Sequence, residues 1–480
     1  MDNTGYTPEE PIAAIATALA PGALGIVRCS GKACVSLLAR VFSRPKALLA
    51  AAGNSLVYGW LQEPAKAVTQ HEVQPTTRID EVMVGVYRAP KSFTGEDMAE
   101  IFCHGGVSVV QAVYHLLLQN GFRVAERGEF TFRAYINGKT DLTRAEAVRE
   151  IIDSKTDVSR SRAAGRLAGS VYNAIDDIKK RIIDTLASLE VEIEYPEDEE
   201  TISDTFNPEN LEQAAIDLEA LSKSWQSEKI YQDGARVVLC GRTNAGKSSL
   251  FNALLKEDRA IVSDIEGTTR DWIESWVDFG GIPTRLFDTA GLRETEDVIE
   301  QRGVQRTRDL AEDADVLLYL IDASAPVHAD DRAFFKAYAS RPQDVRPPLI
   351  LVWNKTDTLS EKARADLPPF PEAACVATVV QLSAKKGGGI NVLCDAVKAV
   401  LAKGAQTNRN QAGLGSERQK RAVDDALESV RHALSLTAEY TLDAAVQDLE
   451  DALDALGAVT GDVTPEDVLD SVFSHFCVGK

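Results

Sequence analysis

A glycine loop of fixed spacing constrains this chain more than any other stretch. Gly241-Arg242-Thr243-Asn244-Ala245-Gly246-Lys247-Ser248 fits the pattern G-x-x-x-x-G-K-[ST]. Residues 236–240 before it read as a short buried strand, and residues 249–255 after it, from Ser249, begin a helix. Strand, glycine loop and helix together cradle phosphates, because loop N–H groups and the positive helix end face the anion. Lys247 is placed to reach β- and γ-phosphates, and the Ser248 hydroxyl to hold Mg²⁺.

Four downstream segments follow in the order a GTPase requires. Gly267-Thr268-Thr269-Arg270-Asp271 supplies Thr269 as a second Mg²⁺ ligand on a loop, with Arg270 beside it as a candidate catalytic residue. Asp288-Thr289-Ala290-Gly291 ends an apolar strand (284–287) with a carboxylate for the metal's outer shell and a glycine by the γ-phosphate. Asn354-Lys355-Thr356-Asp357 follows a strand at 349–353, and Ser383-Ala384-Lys385 follows one at 376–382. Asp357 is the base selector: a carboxylate accepts from both N1–H and the 2-amino group of guanine, and adenine leaves it poorly paired. Asn354 suits guanine N7, and the Ala384 N–H suits O6. Each tetrapeptide is weak alone; the ordered set predicts GTP/GDP binding.

The 480 residues suffice for two to four domains. Seven scattered cysteines without a CxxC pair, and an N-terminus without a basic leader, predict reduced thiols and a cytoplasmic protein. The uncharged stretch 11–27 is broken by Pro21, Gly22 and Gly25, so no membrane span is expected. A net charge of −21 opposes general nucleic-acid binding, so any RNA contact needs a local basic patch or a basic partner.

Residues 1–138 mix strands (25–29, 80–87, 98–103) with helices (35–42, 107–119) and read as an α+β domain. A helical pattern runs over 144–193 and again over 211–225. The eight acids within 190–204 read as a solvated loop rather than a metal site. Residues 232–401 alternate strand and helix like a doubly wound sheet, with Gly280-Gly281 as a hairpin turn. Residues 403–421, with five bases and one acid, read as a linker or as an RNA or partner contact. Residues 422–456 are helical, and Thr464-Pro465 starts a last helix with Thr464 as cap.

Over nearly its whole length the chain resembles the MnmE (TrmE) family of tRNA modification GTPases. The resemblance rests on Gly25-Ile26-Val27-Arg28, Ser92-Phe93-Thr94-Gly95-Glu96-Asp97, His104-Gly105-Gly106, Gly128-Glu129-Phe130-Thr131, Asn137-Gly138-Lys139 and the terminal Phe476-Cys477-Val478-Gly479-Lys480. Departures are small: Arg127 stands where the family often has proline, Val478 replaces isoleucine, and residues 20–24 are poorer in glycine. The resemblance implies a multidomain α/β and α protein. A P-loop doubly wound GTPase domain (232–401) is inserted in an α-helical domain (139–231 and 402–480), preceded by an α+β folate-binding-like domain (1–138). It implies a homodimer formed through that first domain, a tetrahydrofolate derivative (5,10-methylene or 5-formyl) as one-carbon donor, and a flavoprotein partner of the MnmG type carrying FAD. Together they install a (carboxymethyl)aminomethyl group at C5 of the tRNA wobble uridine.

Carried over by residue, the folate contacts are Arg28, Glu100, Lys139 and Lys480; alone, Arg28 and Lys139 would read as surface charges. Leu292 stands where Ras-like enzymes place a water-orienting glutamine. The family's answer is K⁺, held by Asn244, Ser263, Ile265 and Thr268, with Glu300 orienting water; outside the family Glu300 would read as a solvated helix residue. Cys477 would ordinarily be a small buried hydrophobe; its motif suggests a role in the modification chemistry. Two other readings stand beside this one. A ribosome-assembly switch explains the nucleotide domain but not the first domain or the terminal motif. A folate-dependent transferase would use GTP only as an allosteric ligand.

Overall fold

The computed structural model describes residues 10–63, 77–194, 208–256, 261, 273–288, 313–342, 346–365, 367, 375–402, 413–438 and 441–479. Two compact units are present: residues up to Arg149 together with those from Leu453, and Glu150–Ala452.

In the first unit the described residues form a six-stranded sheet of β1 (Ile12–Ile15), β2 (Leu24–Ser30), β3 (Ser55–Gln62), β4 (Arg78–Tyr87), β5 (Met98–His104) and β6 (Arg123–Val124). The order is β3-β4-β5-β2-β1-β6, antiparallel except for the β1–β6 pair. Alternation along each strand sorts the side chains. Val27, Cys29, Val84, Ile101 and Cys103 face a core closed by Val110, Val113 and Leu117 of helix Val107–Gln119. Gly25 admits that helix, since a Cβ there would lie 2.3 Å from Val110. Arg28 and Glu100 point to the other face and are paired in register. The C-terminal helix Glu466–Phe473 packs on helix Glu129–Ile136, with Phe132 and Phe473 edge to face at 5.3 Å. Beyond it, Val478 bridges to Arg127.

The start of that last helix departs from the expected cap. Pro465 is extended (φ −58°, ψ 147°) and occupies the cap position itself. The helix therefore begins one residue later, and the Thr464 hydroxyl is buried without a partner.

In the second unit, β7 (Ala235–Gly241), β8 (Ile273–Phe279), β9 (Ile282–Asp288), β10 (Val316–Asp322), β11 (Leu349–Asn354) and β12 (Thr378–Gln381) form a sheet ordered β12-β11-β10-β7-β9-β8. Described pairs are parallel except the β8–β9 hairpin. Its turn is Gly280-Gly281, both with positive φ (+65° and +97°), as a two-residue primed turn demands. Separate apolar clusters cover the two faces, one with Leu250, Leu254, Leu393 and Val397, the other with Phe335, Tyr338 and Trp353.

The helical stretch expected over 144–193 is three helices, Leu142–Asp153, Asp157–Leu167 and Ser170–Glu194. Thr156 caps the second through a capping box with Ser159, and Gly169 (φ +99°) ends it. Residues 422–456 likewise divide between Glu417–Ala438 and Leu442–Thr460. Part of the expected linker is thus helix. Helices Pro208–Asp233 and Glu417–Ala438 pack together, and Ser222 Oγ donates to Asp424 at 2.6 Å.

Candidate active site

The nucleotide loop leaves β7 at Gly241, where φ is +130° and a Cβ would fall 2.4 Å from Leu320 O, so no side chain fits. Asn244 also takes a left-handed turn (φ +64°), with its side chain exposed. Gly246 passes so near Asn354 that a Cβ would lie 2.1 Å from its Nδ2. Helix Lys247–Lys256 then begins. Lys247 is buried, and its Nζ donates to the carbonyls of Gly241 and Arg242 at 2.8 and 2.9 Å. Its ammonium thus sits inside the loop whose N–H groups would face phosphate. Ser248 Oγ donates to Asp288 Oδ2 at 2.8 Å, so the two metal-side residues named from sequence meet. A hydroxyl and a carboxylate oxygen are hard donors of the kind Mg²⁺ takes, and this pair fits it. Ser249 is exposed on the first helical turn.

Asn354 is almost fully buried, at 1% exposed. Its Nδ2 donates to Ala245 O at 2.9 Å, while its Oδ1 accepts from Ala384 N at 3.0 Å and Lys355 N at 2.8 Å. One side chain therefore ties together three loops at the C-terminal ends of parallel strands. The Ala384 N–H, matched in sequence to guanine O6, here meets Asn354, because a buried amide requires an acceptor. Asp357 Oδ1 accepts from Ser383 Oγ at 2.7 Å, and Lys386 Nζ stands 3.8 Å from Oδ2. The Ser383 hydrogen bond, helped by the two lysine charges, holds the Asp357 carboxyl below its ordinary value. Lys355 Nζ donates to Asp322 Oδ2 at 2.6 Å. Burial would raise the Asp322 carboxyl, but Lys355 and Ser324 outweigh it and hold it low. Lys385 is exposed.

On the open sheet face of the first unit, Arg28 Nε and Nη2 donate to Glu100 Oε1 at 2.9 and 2.7 Å. Arg28 Nη1 donates to Gly479 O at 3.2 Å, so the C-terminal tail is part of this site. The rings of Phe93 and Phe130 each lie 5.6 Å from the guanidinium, and Phe93 is 41% exposed. Lys139 Nζ donates to Pro90 O at 2.9 Å, and Asn137 Nδ2 to Thr94 O at 2.7 Å, which fixes Lys139 beside the loop that carries Phe93. Partly buried charges of both signs beside an exposed aromatic ring fit a flat, polar, anionic heterocycle such as a folate. Cys477, which its type would bury, is exposed and free.

Sequence reasoning missed a buried ion network under this face. Arg133, with no exposed surface, donates to Glu129 and Glu96, and Arg123 donates to Glu129. Its one visible signal was Glu129 four residues before Arg133, an i,i+4 pair. Ser263, Ile265, Thr268, Thr269, Arg270, Thr289, Ala290, Gly291, Glu300 and Lys480 lie outside the described residues, as do most of the acids within 190–204. Among the described residues no helix is long and apolar enough to cross a membrane. No cluster of three His, Cys, Asp or Glu side chains suits a metal there either.

Comparison with known proteins identifies the family. A family model described as the MnmE helical domain matches residues 142–477, and one described as the N-terminus of the GTP-binding protein TrmE matches residues 11–139. The tRNA modification GTPase MnmE of Treponema denticola is 49% identical over 99% of both chains. That of Treponema pallidum (strain Nichols) is 42% identical over 99% of both. The Carboxydothermus hydrogenoformans protein of the same name is 38% identical over 98% of this chain and all of that one. Two family models that together span the chain, and full-length relatives at this identity, establish that it belongs to the MnmE (TrmE) family of tRNA modification GTPases.

Proposed function

We propose that the chain hydrolyses GTP as a step in tRNA modification. With an MnmG-type flavoprotein, it installs a (carboxymethyl)aminomethyl group at C5 of the wobble uridine from a tetrahydrofolate one-carbon unit. It works in the cytoplasm as a homodimer. The convergence of Lys247, the Ser248–Asp288 pair, Asn354 and Asp357 at the ends of one parallel sheet supports the GTPase step most directly.

Lys247 exchanges its two loop carbonyls for β- and γ-phosphate oxygens. Ser248 and Thr269, with Asp288 beside Ser248, would hold Mg²⁺, which would supply positive charge against the phosphates. Asp357 selects guanine. Leu292 has no polar atom with which to orient water. Asn244, Ser263, Ile265 and Thr268 offer oxygens for K⁺, a charge whose arginine counterpart elsewhere is worth about 10³–10⁵ in rate. Glu300 orients the attacking water, and Arg270, next to Thr269 in the sequence, takes part in catalysis. In the first unit Arg28, Glu100, Lys139 and Lys480 bind the folate, with Glu100 accepting from pterin N–H groups and the cations meeting carboxylates. The exposed Cys477 thiol, three residues before Lys480 in the sequence, assists the modification.

Mass spectrometry of tRNA wobble nucleosides tests the reading, in cells with and without this gene, rescued by wild type or Asp288→Ala. The expected result is loss of a 5-aminomethyl-type uridine that only wild type restores. Unchanged nucleosides with a ribosome-assembly defect would overturn it in favour of a switch.

A further inference from the structure

The open face of the first sheet holds a residue that the folate contacts named so far leave out. Glu100 on β5 lies opposite Gly85 on β4, and Tyr87 is two residues along β4 on the same face. The Tyr87 ring reaches back over Gly85 toward Glu100. A Cβ at Gly85 would sit 3.4 Å from the Tyr87 hydroxyl and 3.4 Å from the Phe102 ring. Tyr87 Oη then reaches Glu100 Oε2 and donates at 3.1 Å.

Counting acceptors shows what this does. A carboxylate has about four acceptor positions. Arg28 takes both at Oε1, through Nε and Nη2. Tyr87 takes one at Oε2, which leaves one on that oxygen. With Arg28 alone, the carboxylate could turn about its terminal torsion, which is a broad well. With a donor on each oxygen its plane is fixed, and the remaining acceptor has a fixed direction. The phenol is suited to the task. Burial raises its pKa from the ordinary tyrosine value and the Glu100 charge raises it further, so it stays a donor at neutral pH.

We propose that Tyr87 is a positioning residue of the folate site, holding the Glu100 carboxylate so that its free acceptor meets an N–H of the pterin ring. This rests on the folate reading given above.

Two measurements on the full chain test it. The first is calorimetric titration of 5-formyltetrahydrofolate into wild type, Tyr87→Phe, Glu100→Gln and the double variant. Tyr87→Phe leaves the carboxylate to be ordered on binding, which predicts that binding weakens about threefold to tenfold. In the Glu100→Gln background the same change has an effect under about twofold, because Tyr87 acts through the carboxylate. Binding by Tyr87→Phe within about twofold of wild type, or equal losses in both backgrounds, would overturn the proposal. The second needs no folate and keeps the hydroxyl in place. With 3-fluorotyrosine at position 87, the ¹⁹F titration midpoint falls when Glu100→Gln removes the neighbouring charge. A midpoint that does not move overturns the Tyr87–Glu100 link whatever the chain binds. A midpoint that falls in a protein showing no 5-formyltetrahydrofolate binding overturns the folate reading instead, and the positioning role with it.

Discussion

Replacing Asp357 by asparagine isolates the group that chooses the base. The Asp357 carboxylate gives one acceptor position to Ser383 Oγ at 2.7 Å, and Lys386 at 3.8 Å is beyond hydrogen-bond reach. Of about four positions, enough remain for the two donors that guanine presents side by side, N1–H and the 2-amino group. Each hydrogen bond to a charged group contributes roughly a tenfold to hundredfold in affinity, so Asp357→Asn loses on the order of 10²–10⁴-fold in GTP binding. The amide also reverses one polarity, because its NH₂ opposes the 2-amino group. Xanthine carries a carbonyl at that position and keeps N1–H, so it pairs with both ends of the amide. Ser383 tolerates the exchange, since its hydroxyl can rotate to accept or donate. The variant is therefore expected to prefer XTP to GTP, with no gain for ATP. Displacement of a fluorescent GDP analogue by GTP, XTP and ATP measures all three. The Ser383 hydrogen bond holds the wild-type carboxyl below its ordinary value, so the comparison at neutral pH is made on the ionised group. A variant that kept the wild-type preference for GTP over XTP within about threefold would refute the base assignment.

Gly246→Ala is expected to abolish nucleotide binding, because a Cβ at φ +96° would fall 2.1 Å from Asn354 Nδ2 and displace the side chain that ties three loops together. A thermal melt that still rises with added GDP as wild type does would contradict this. Glu129→Gln is expected to cost about 1.5–3 kcal/mol near pH 7, since it removes one of the carboxylates paired with buried Arg133, which keeps Glu96, and one paired with Arg123. Burial alone would raise the Glu129 carboxyl, but hydrogen bonds from Arg123, the Glu126 N–H and Arg133 hold it below its ordinary value. Its contribution is thus present above the unfolded value, about 4.3, and is lost as pH falls through the lower folded value. Urea unfolding of both proteins at neutral pH and in acid should show the deficit shrinking in acid; a constant deficit, or none, would count against the network.

What could be read in the sequence was local. The nucleotide loop, the Gly280-Gly281 turn and helix Val107–Gln119 follow from short patterns with strong punctuation, and they stand where those patterns put them. Strand β3 carries no such pattern. Leu56, Tyr58 and Trp60 lie on its open face and Leu61 in the core, so apolar residues fall on both sides and the alternation vanishes. Its central Gly59 looks like a breaker, yet it is required because the Phe42 ring lies 2.4 Å from where a Cβ would stand. The first strand, Ile12–Ile15, hides in an alanine-rich run. Among site residues, Arg28 and Glu100 could be paired only through family resemblance. Tyr87 could not be found at all, and Arg133 only through Glu129 four residues before it, because the role of Tyr87 and the Glu96 partner of Arg133 depend on strand register and on residues far away in the chain, which single-sequence patterns do not encode.

In the second unit strand β9 joins two closely packed regions. At its C-terminal end β9 presents Asp288 to Ser248. At its other end Gly281 O accepts from Thr156 Oγ1 at 2.8 Å, and a Cβ at Gly281 would fall 2.4 Å from Val158. Farther along the hairpin, the Trp276 ring on β8 has Lys155 at 4.8 Å, with Arg285 of β9 at 4.9 Å. Thr156 caps helix Asp157–Leu167, whose Arg162 and Arg166 are locked to Glu228, with Arg166 also bound to Glu150. Breaking one such buried pair costs about 3–5 kcal/mol, more than rotating an exposed side chain or bending a loop. The hairpin itself meets this helix through the Thr156 hydrogen bond and the Val158 contact, so β9 runs from Asp288 on the nucleotide side to contacts with a helix that is itself tied to its neighbours.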